Sequence, residues 1–159
     1  MRREEVIDAI GEKFREMSTE TIMFHQAVAD VLGLHITDHK CLDFIHRFGP
    51  MPAGRLAELT GLTTGAVTGI IDRLERAGYV RRANDPKDRR RTIVEPTRNK
   101  KLERKLEAIF IPLRDAMHRV LSTYSDVELA FLLDATTRFL NQTHDESKKL
   151  RSLHKTAKR

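Results

Sequence analysis

PAGRLAELTGLTTGAVTGIIDRLERA, residues 52–77, reads as two helices joined by a tight turn. Leu56, Ala57 and Leu59 mark the buried face of the first helix. Gly61 sits where a left-handed turn residue is cheap, because it has no Cβ to clash. Thr63 or Thr64 caps the second helix, since a Thr hydroxyl accepts one of the orphan N–H bonds of the first turn. Val67, Ile70, Ile71 and Leu74 repeat at helical spacing and form one face. Gly78 follows directly, where a helix C-terminus prefers Gly. Taken alone, the pattern fits an ordinary helical hairpin as well as a helix-turn-helix.

The next residues decide between them. In GYVRRANDPKDRRRTIVEPT, residues 78–97, Tyr79–Ala83 and Arg91–Glu95 are short runs with β-branched or aromatic residues and read as strands. The Asn, Asp and Pro between them mark a turn, and the turn is strongly basic. A β-hairpin with an arginine tip directly after a helix-turn-helix is a wing. An arginine there can reach into a narrow minor groove, where the negative potential is enhanced. Arg90 is the expected minor-groove arginine, with Arg89 and Arg91 beside it; strand alternation lets only some of the three point outward.

The chain has 159 residues, enough for a real core, and 40% of them are hydrophobic, which excludes a disordered chain. A formal charge of +6 and a pI near 9.7 favour a polyanionic partner. No apolar run approaches a membrane span. The N-terminus is charged at once and carries no secretory apolar segment. Cys41 is the single cysteine, so no internal disulfide exists, and a cytoplasmic protein is the simplest reading.

Outward from the central stretch, Glu4 to Val31 predicts a long helix ended by Gly33. Thr37 is expected to cap a helix with Leu42, Ile45 and Phe48 inward and Gly49 as its stop; Met51 can add a minimal strand. Thr97 is expected to cap a helix from about Arg98 to Tyr124, with Pro112 kinking it. Ser125 caps a last helix whose apolar face runs from Val127 to Leu140. The expected fold is mostly α: a winged helix-turn-helix at 37–97, a helical dimerisation region at 1–32 and 98–147, and a basic, frayed tail at 148–159. The end segments carry more apolar surface than a small central domain can cover. A second copy of the chain, related by a two-fold axis, is the natural cover. Paired readers also place recognition helices about one duplex turn apart, roughly 34–36 Å.

On LTGLTTGAVTGIIDRLERAGYVRRANDPKDRRRTIVEPT, residues 59–97, the chain resembles the multiple antibiotic resistance regulator (MarR) family of transcriptional regulators. Asp72-Arg73-Leu74-Glu75, the Gly78-Tyr79-Val80 step and the tip Asp85-Pro86-Lys87-Asp88-Arg89-Arg90 match the family pattern closely, and the likeness spans nearly the whole chain. Pro96 departs from it, standing where the family usually has Leu, which alters the exit of the wing without abolishing it. The resemblance implies a homodimer on a pseudo-palindromic double-stranded DNA operator. It is usually a repressor, relieved by a small aromatic or phenolic effector. Thr63, Thr64, Gly65, Ala66 and Thr68 are then expected to face the major groove, and Arg73, Asp88, Arg89 and Arg90 to complete the DNA-binding set. Arg73 can bond phosphate or base, or pair with Asp88 and fix the wing; the resemblance favours the pairing. Phe24, Phe44, Phe110 and Met117 can line an effector pocket, although plain core is the simpler reading of each.

Competing readings are weaker. His35, His39 and His46 offer no complete ligand set at a recognised spacing, so no metal site is expected. Cys41 lies in an apolar helix, where a thiol is normally inert, although a redox- or metal-sensing regulator is an alternative. No nucleophile motif, glycine-rich phosphate loop or metal pair is present, so neither an enzyme nor a cofactor is expected. The alternative of a different kind is an architectural winged-helix protein that binds DNA whatever its sequence.

Overall fold

In the computed structural model the chain runs α1 (Arg3–Leu32), α2 (Ile36–Phe48), α3 (Ala53–Thr60), α4 (Thr64–Arg76), β1 (Val80–Asp85), β2 (Asp88–Pro96), α5 (Lys100–Leu121) and α6 (Asp126–Thr156). Residues 1–86 and 88–156 are described, with the backbone alone at Arg89 and at residues 154–156. Two compact units divide the chain, Met1–Leu106 and Glu107–Arg159.

The core of the first unit is the central stretch and what packs on it. Leu56, Val67, Ile71 and Leu74 are fully buried, together with Leu42 and Ile45 of α2 and Val80 at the start of β1. Ala29 of α1 is closed off completely, while the first five turns of the same helix leave Val6, Ile7, Ile10 and Met17 in the open. An open groove of about 310 Å³ on that half of α1 is lined by Val6, Ala9, Ile10, Lys13, Phe14 and Met17. The second unit is likewise open: Met117, Val127, Phe131, Leu133 and Leu140 are all exposed.

Local chemistry sets the element ends. Thr63 is the N-cap of α4, and its hydroxyl accepts from the Ala66 N–H at 3.2 Å. Gly61 closes α3 at φ 73°, a left-handed backbone that a Cβ would strain. Ser125 and Glu128 form the reciprocal cap of α6: the Ser125 N–H donates to Glu128 at 2.8 Å, and the Glu128 N–H to Ser125 Oγ at 3.4 Å. The hairpin is antiparallel, with Arg81 opposite Glu95 and Ala83 opposite Ile93, and a register shift at Asn84/Asp85. Met51 adds one bridge on the far side of β2, bonding Val94 in both directions at 3.1 and 2.8 Å.

Several expectations need correction. The wing strands are longer than read: β1 reaches Asp85 and β2 begins at Asp88, because a last pair, Asp85 with Asp88, closes the hairpin beyond the register shift at Asn84/Asp85. His35, not Thr37, is the N-cap of α2, which begins at Ile36. Phe48 is exposed, stacked on Phe44 with ring centroids 5.7 Å apart, since it stands on the last turn of α2 beyond the core layer. Thr97 does not cap α5. Its hydroxyl donates to the Gly78 carbonyl at 2.6 Å, and Asn99 caps instead, accepting from the Leu102 N–H at 3.0 Å. Pro112 does lie inside α5, as expected. Of the tail expected at 148–159, α6 takes in the residues to Thr156, through a stretch without Gly or Pro in which Lys149 bonds Glu146 at 2.7 Å, and residues 157–159 lie outside the described residues. Met117 is exposed rather than core within its unit.

Candidate nucleic-acid interface

The second helix of the pair, α4, is two-faced. Val67, Ile70, Ile71 and Leu74 are buried, and Thr63, Thr64, Gly65, Ala66 and Thr68 are all exposed. The five residues expected to face the groove therefore share one uncovered surface. Thr63 spends its hydroxyl on the cap, and Thr68 donates to the Thr64 carbonyl at 2.9 Å, which leaves the Thr68 methyl and its oxygen lone pairs outward.

Gly65 and Gly69 each cost a helix about 1 kcal/mol relative to Ala. Close packing inside the protein does not account for that. A Cβ on Gly65 would meet nothing within 4 Å, and one on Gly69 would make only ordinary contact, 3.6 Å from the Arg73 Nη1. The bare backbone of Gly65 lies open to whatever approaches from solvent. It also lines, with His35, Thr37, Asp38, Ala66 and Arg73, an open groove of about 610 Å³ between the start of α2 and α4.

Arg73 does not pair with Asp88. Its Nε and Nη2 donate to the two oxygens of Asp38 at 2.7 and 2.6 Å, a bidentate contact from α4 to a buried residue in the first turn of α2. That hydrogen-bonded carboxylate pushes the guanidinium further up, so its charge is fixed. Asp88 instead turns inward on its own tip, where its Oδ1 accepts the Arg90 N–H at 3.1 Å and Nε at 3.3 Å. The reason is reach: Asp88 opens β2 at the far end of the hairpin, whereas Asp38 stands beside the recognition helix itself.

Sequence reasoning missed what fixes the wing. Arg82 of β1 bonds Asp72 at 2.5 Å and Glu75, both on α4, and its backbone N–H donates to Glu75 at 2.9 Å. The signal was available in the spacing, since Asp72 and Glu75 are three apart on the exposed side of a helix that runs straight into the wing. A cross-strand pair, Arg81 with Glu95 at 2.7 Å, stiffens the same sheet. Tyr79 ties the start of the wing to α1 by donating its hydroxyl to the Leu32 carbonyl at 3.0 Å.

The tip presents Arg90, whose side chain is 91% exposed. The expectation for Arg89 falls on a side chain outside the described residues. Elsewhere, Cys41 is completely buried, and burial pushes its thiol up to about 11. A thiol held protonated is a poor nucleophile, which opposes the redox reading. Among the described residues no group of three or more His, Cys, Asp or Glu is placed to hold a metal ion, and no helix is long and apolar enough to cross a membrane.

Comparison with known proteins agrees with this geometry. The MarR family pattern matches residues 34–92, from the loop before α2 to the middle of β2. The chain is similar to YcgE of Bacillus subtilis (strain 168), named an uncharacterized HTH-type transcriptional regulator. The two are 39% identical over 150 residues, covering 94% of this chain and 96% of the relative. Among solved structures it is similar to the transcriptional regulator BldR from Sulfolobus solfataricus, at 29% identity and a TM-score of 0.56, covering 89% of this chain and 99% of that one. It also shares its fold with a MarR family protein from Bacillus stearothermophilus, at 20% identity and a TM-score of 0.63, over 93% of this chain and 99% of the other.

Proposed function

The chain belongs to the MarR family of transcriptional regulators, and from that premise we propose that it is a homodimeric, sequence-specific DNA-binding repressor whose grip is relieved by a small aromatic or phenolic molecule. One observation carries the DNA-reading part. The outer face of α4 is a continuous polar and glycine surface, with an exposed arginine-tipped wing locked to the same helix by Arg82. Thr63, Thr64, Gly65, Ala66 and Thr68 enter the major groove, and Gly65 lets the helix backbone approach. Arg90, with Arg89 and Asp88 shaping the tip, enters the minor groove. Arg73 spends two donors on Asp38, so its part is chiefly to hold the helix, with its Nη1 edge toward the groove as a phosphate contact.

The dimer reading rests on the apolar residues left open on α1 and on the second unit. The division into a reading head at 37–97 and a dimerisation region at 1–32 and 98–147 follows from where those residues lie.

Selection of bound duplexes from a random-sequence library tests the reading. A pseudo-palindrome with half-sites about one duplex turn apart, roughly 34–36 Å, is the expected product. Enrichment of no sequence at all would favour the architectural alternative, and a single species of 18.3 kDa in sedimentation at micromolar concentration would remove the dimer. On the selected duplex, Arg90→Ala is expected to weaken binding and to lower the slope of log affinity against log salt by about one per subunit, as for the loss of one phosphate-proximal cation. Its melting should match the parent, because the side chain buries little. Equal affinity of mutant and parent at two salt concentrations would show that Arg90 stays off the DNA.

A further inference from the structure

Two histidine rings meet where α1 packs on α2. His25 Nδ1 and His39 Nε2 are 3.1 Å apart, with ring centroids 5.4 Å apart. His39 is 3% exposed, and its other nitrogen, Nδ1, is buried without a hydrogen-bond partner. His25 is half-buried one turn before the fully buried Ala29, with Phe24 edge-on to its ring at 5.7 Å. The residue before His39 is Asp38, which holds Arg73 of the recognition helix. One turn of α2 thus carries both the contact to α1 and the contact to α4.

Proton counting shows what this arrangement tolerates. With both rings neutral, the tautomer that leaves no buried N–H unpaired has His39 donating from Nε2 to His25 Nδ1, and the buried Nδ1 of His39 keeping only a lone pair. One added proton has two places to go. On His39 Nδ1 it makes a buried N–H with no acceptor. On His25 Nδ1 it faces the His39 Nε2–H, and the contact survives only if His39 moves its own hydrogen to Nδ1. Both routes put a hydrogen on the same unpartnered buried nitrogen, in a pair that is now charged, and an unsatisfied buried donor is costly. We propose that the His25–His39 contact is a proton-sensitive latch, which holds α2 against α1 when both rings are neutral and loosens the recognition helix when the pair takes up a proton.

The surrounding charges are consistent with this. Burial, and then the neighbouring His25, hold His39 below its ordinary value of 6.5; Lys40 acts in the same sense and Asp43 against it, all from α2 except His25 on α1. On the α4 side Arg73 is already neutralised by Asp38. Because the folded chain resists the proton that the unfolded chain accepts, the stability contributed by His39 is whole above pH 6.5 and is lost as the pH falls below it.

The consequence for DNA rests on the function proposed above, while the latch itself is tested without DNA. Amide exchange over α2 and α4, corrected for intrinsic rates, is compared in the full chain near pH 7.5 and 5.5. Protection in the parent is expected to fall on acidification by up to about tenfold, the ceiling set by a pH one unit below the ordinary histidine value of 6.5. His39→Gln keeps an N–H donor for His25 but does not titrate, and its protection is expected to fall less than the parent's, the remainder coming from His46, which burial also holds below its ordinary value. If His39→Gln fails to fold, His25→Gln, at the less buried ring, is expected to flatten the profile in part, since burial still holds His39 below its ordinary value. Equal pH dependence in the parent and in a folded variant of either ring would overturn the latch. Anisotropy titration of the selected duplex, at constant ionic strength, is expected to show the parent weakening more at the lower pH than His39→Gln does. Exchange that responds while duplex affinity holds steady would overturn the coupling to DNA. No duplex binding at either pH would count against the proposed function, and the exchange comparison would still decide the latch.

Discussion

Leu74→Ala is expected to lower the stability of the reading head by about 2–5 kcal/mol, the range for a Leu truncated in a close-packed core. Leu74 is fully buried, in company with Ile71, Val67 and Leu56, and it lies on the last full turn of α4 before the wing. The Leu74 carbonyl also accepts the Tyr79 N–H at 2.9 Å, so a cavity there loosens the step from recognition helix to β1 as well as the helix itself. Whatever fraction remains folded should keep its base preference, because the inward face of α4 is buried in the core. Thr68→Ala is the control on the opposite face. It should melt like the parent and change the preferred base at one position of each half-site, at a cost of ~1–3 kcal/mol for the parent site. Melting each variant and titrating it against single-base operator changes separates the two. A Leu74→Ala protein as stable as the parent, or a Thr68→Ala protein that binds every duplex as the parent does, would mean that α4 faces the other way.

The same two faces explain how much the sequence revealed. Spacing alone separated Val67, Ile70, Ile71 and Leu74 from Thr64, Gly65 and Thr68, because helix periodicity is local and the packing obeys it. A cap at Thr63 or Thr64, and one by Ser125, were legible for the same reason, being decided within four residues. Thr97 was not, since its hydroxyl goes to Gly78, nineteen residues back, and only the folded wing brings the two together. The partner of Arg73 was misread on the same ground. Asp88 is closer in sequence, but Asp38, thirty-five residues away, is the carboxylate that helix packing sets beside it. The His25–His39 contact likewise spans fourteen residues and two helices, and nothing in the spacing of either ring announced it. Arg82 was overlooked because it reads as one more wing cation; its partners Asp72 and Glu75 show that it serves the fold.

Arg73→Ala is the other substitution expected to act strongly, through what it leaves behind. Asp38 is 3% exposed at its side chain, and both of its oxygens accept from the one guanidinium. Removing Arg73 strands a buried carboxylate, a loss of about 3–5 kcal/mol when both partners are buried. Arg73 is itself 45% exposed, so water can enter where it stood, and the lower end of that range, about 3 kcal/mol, is expected. Arg73→Lys keeps the charge but not the planar fork, and should fall between mutant and parent. The double variant Asp38→Ala, Arg73→Ala supplies the decisive comparison in denaturant unfolding. If the damage comes from the stranded carboxylate, removing it as well makes the double variant more stable than Arg73→Ala alone, a coupling that independent sites do not show. Simple addition of the two single losses would mean that Asp38 and Arg73 stabilise the head separately. The contact would then be a surface ion pair of little worth, rather than the clamp that sets α4 against α2.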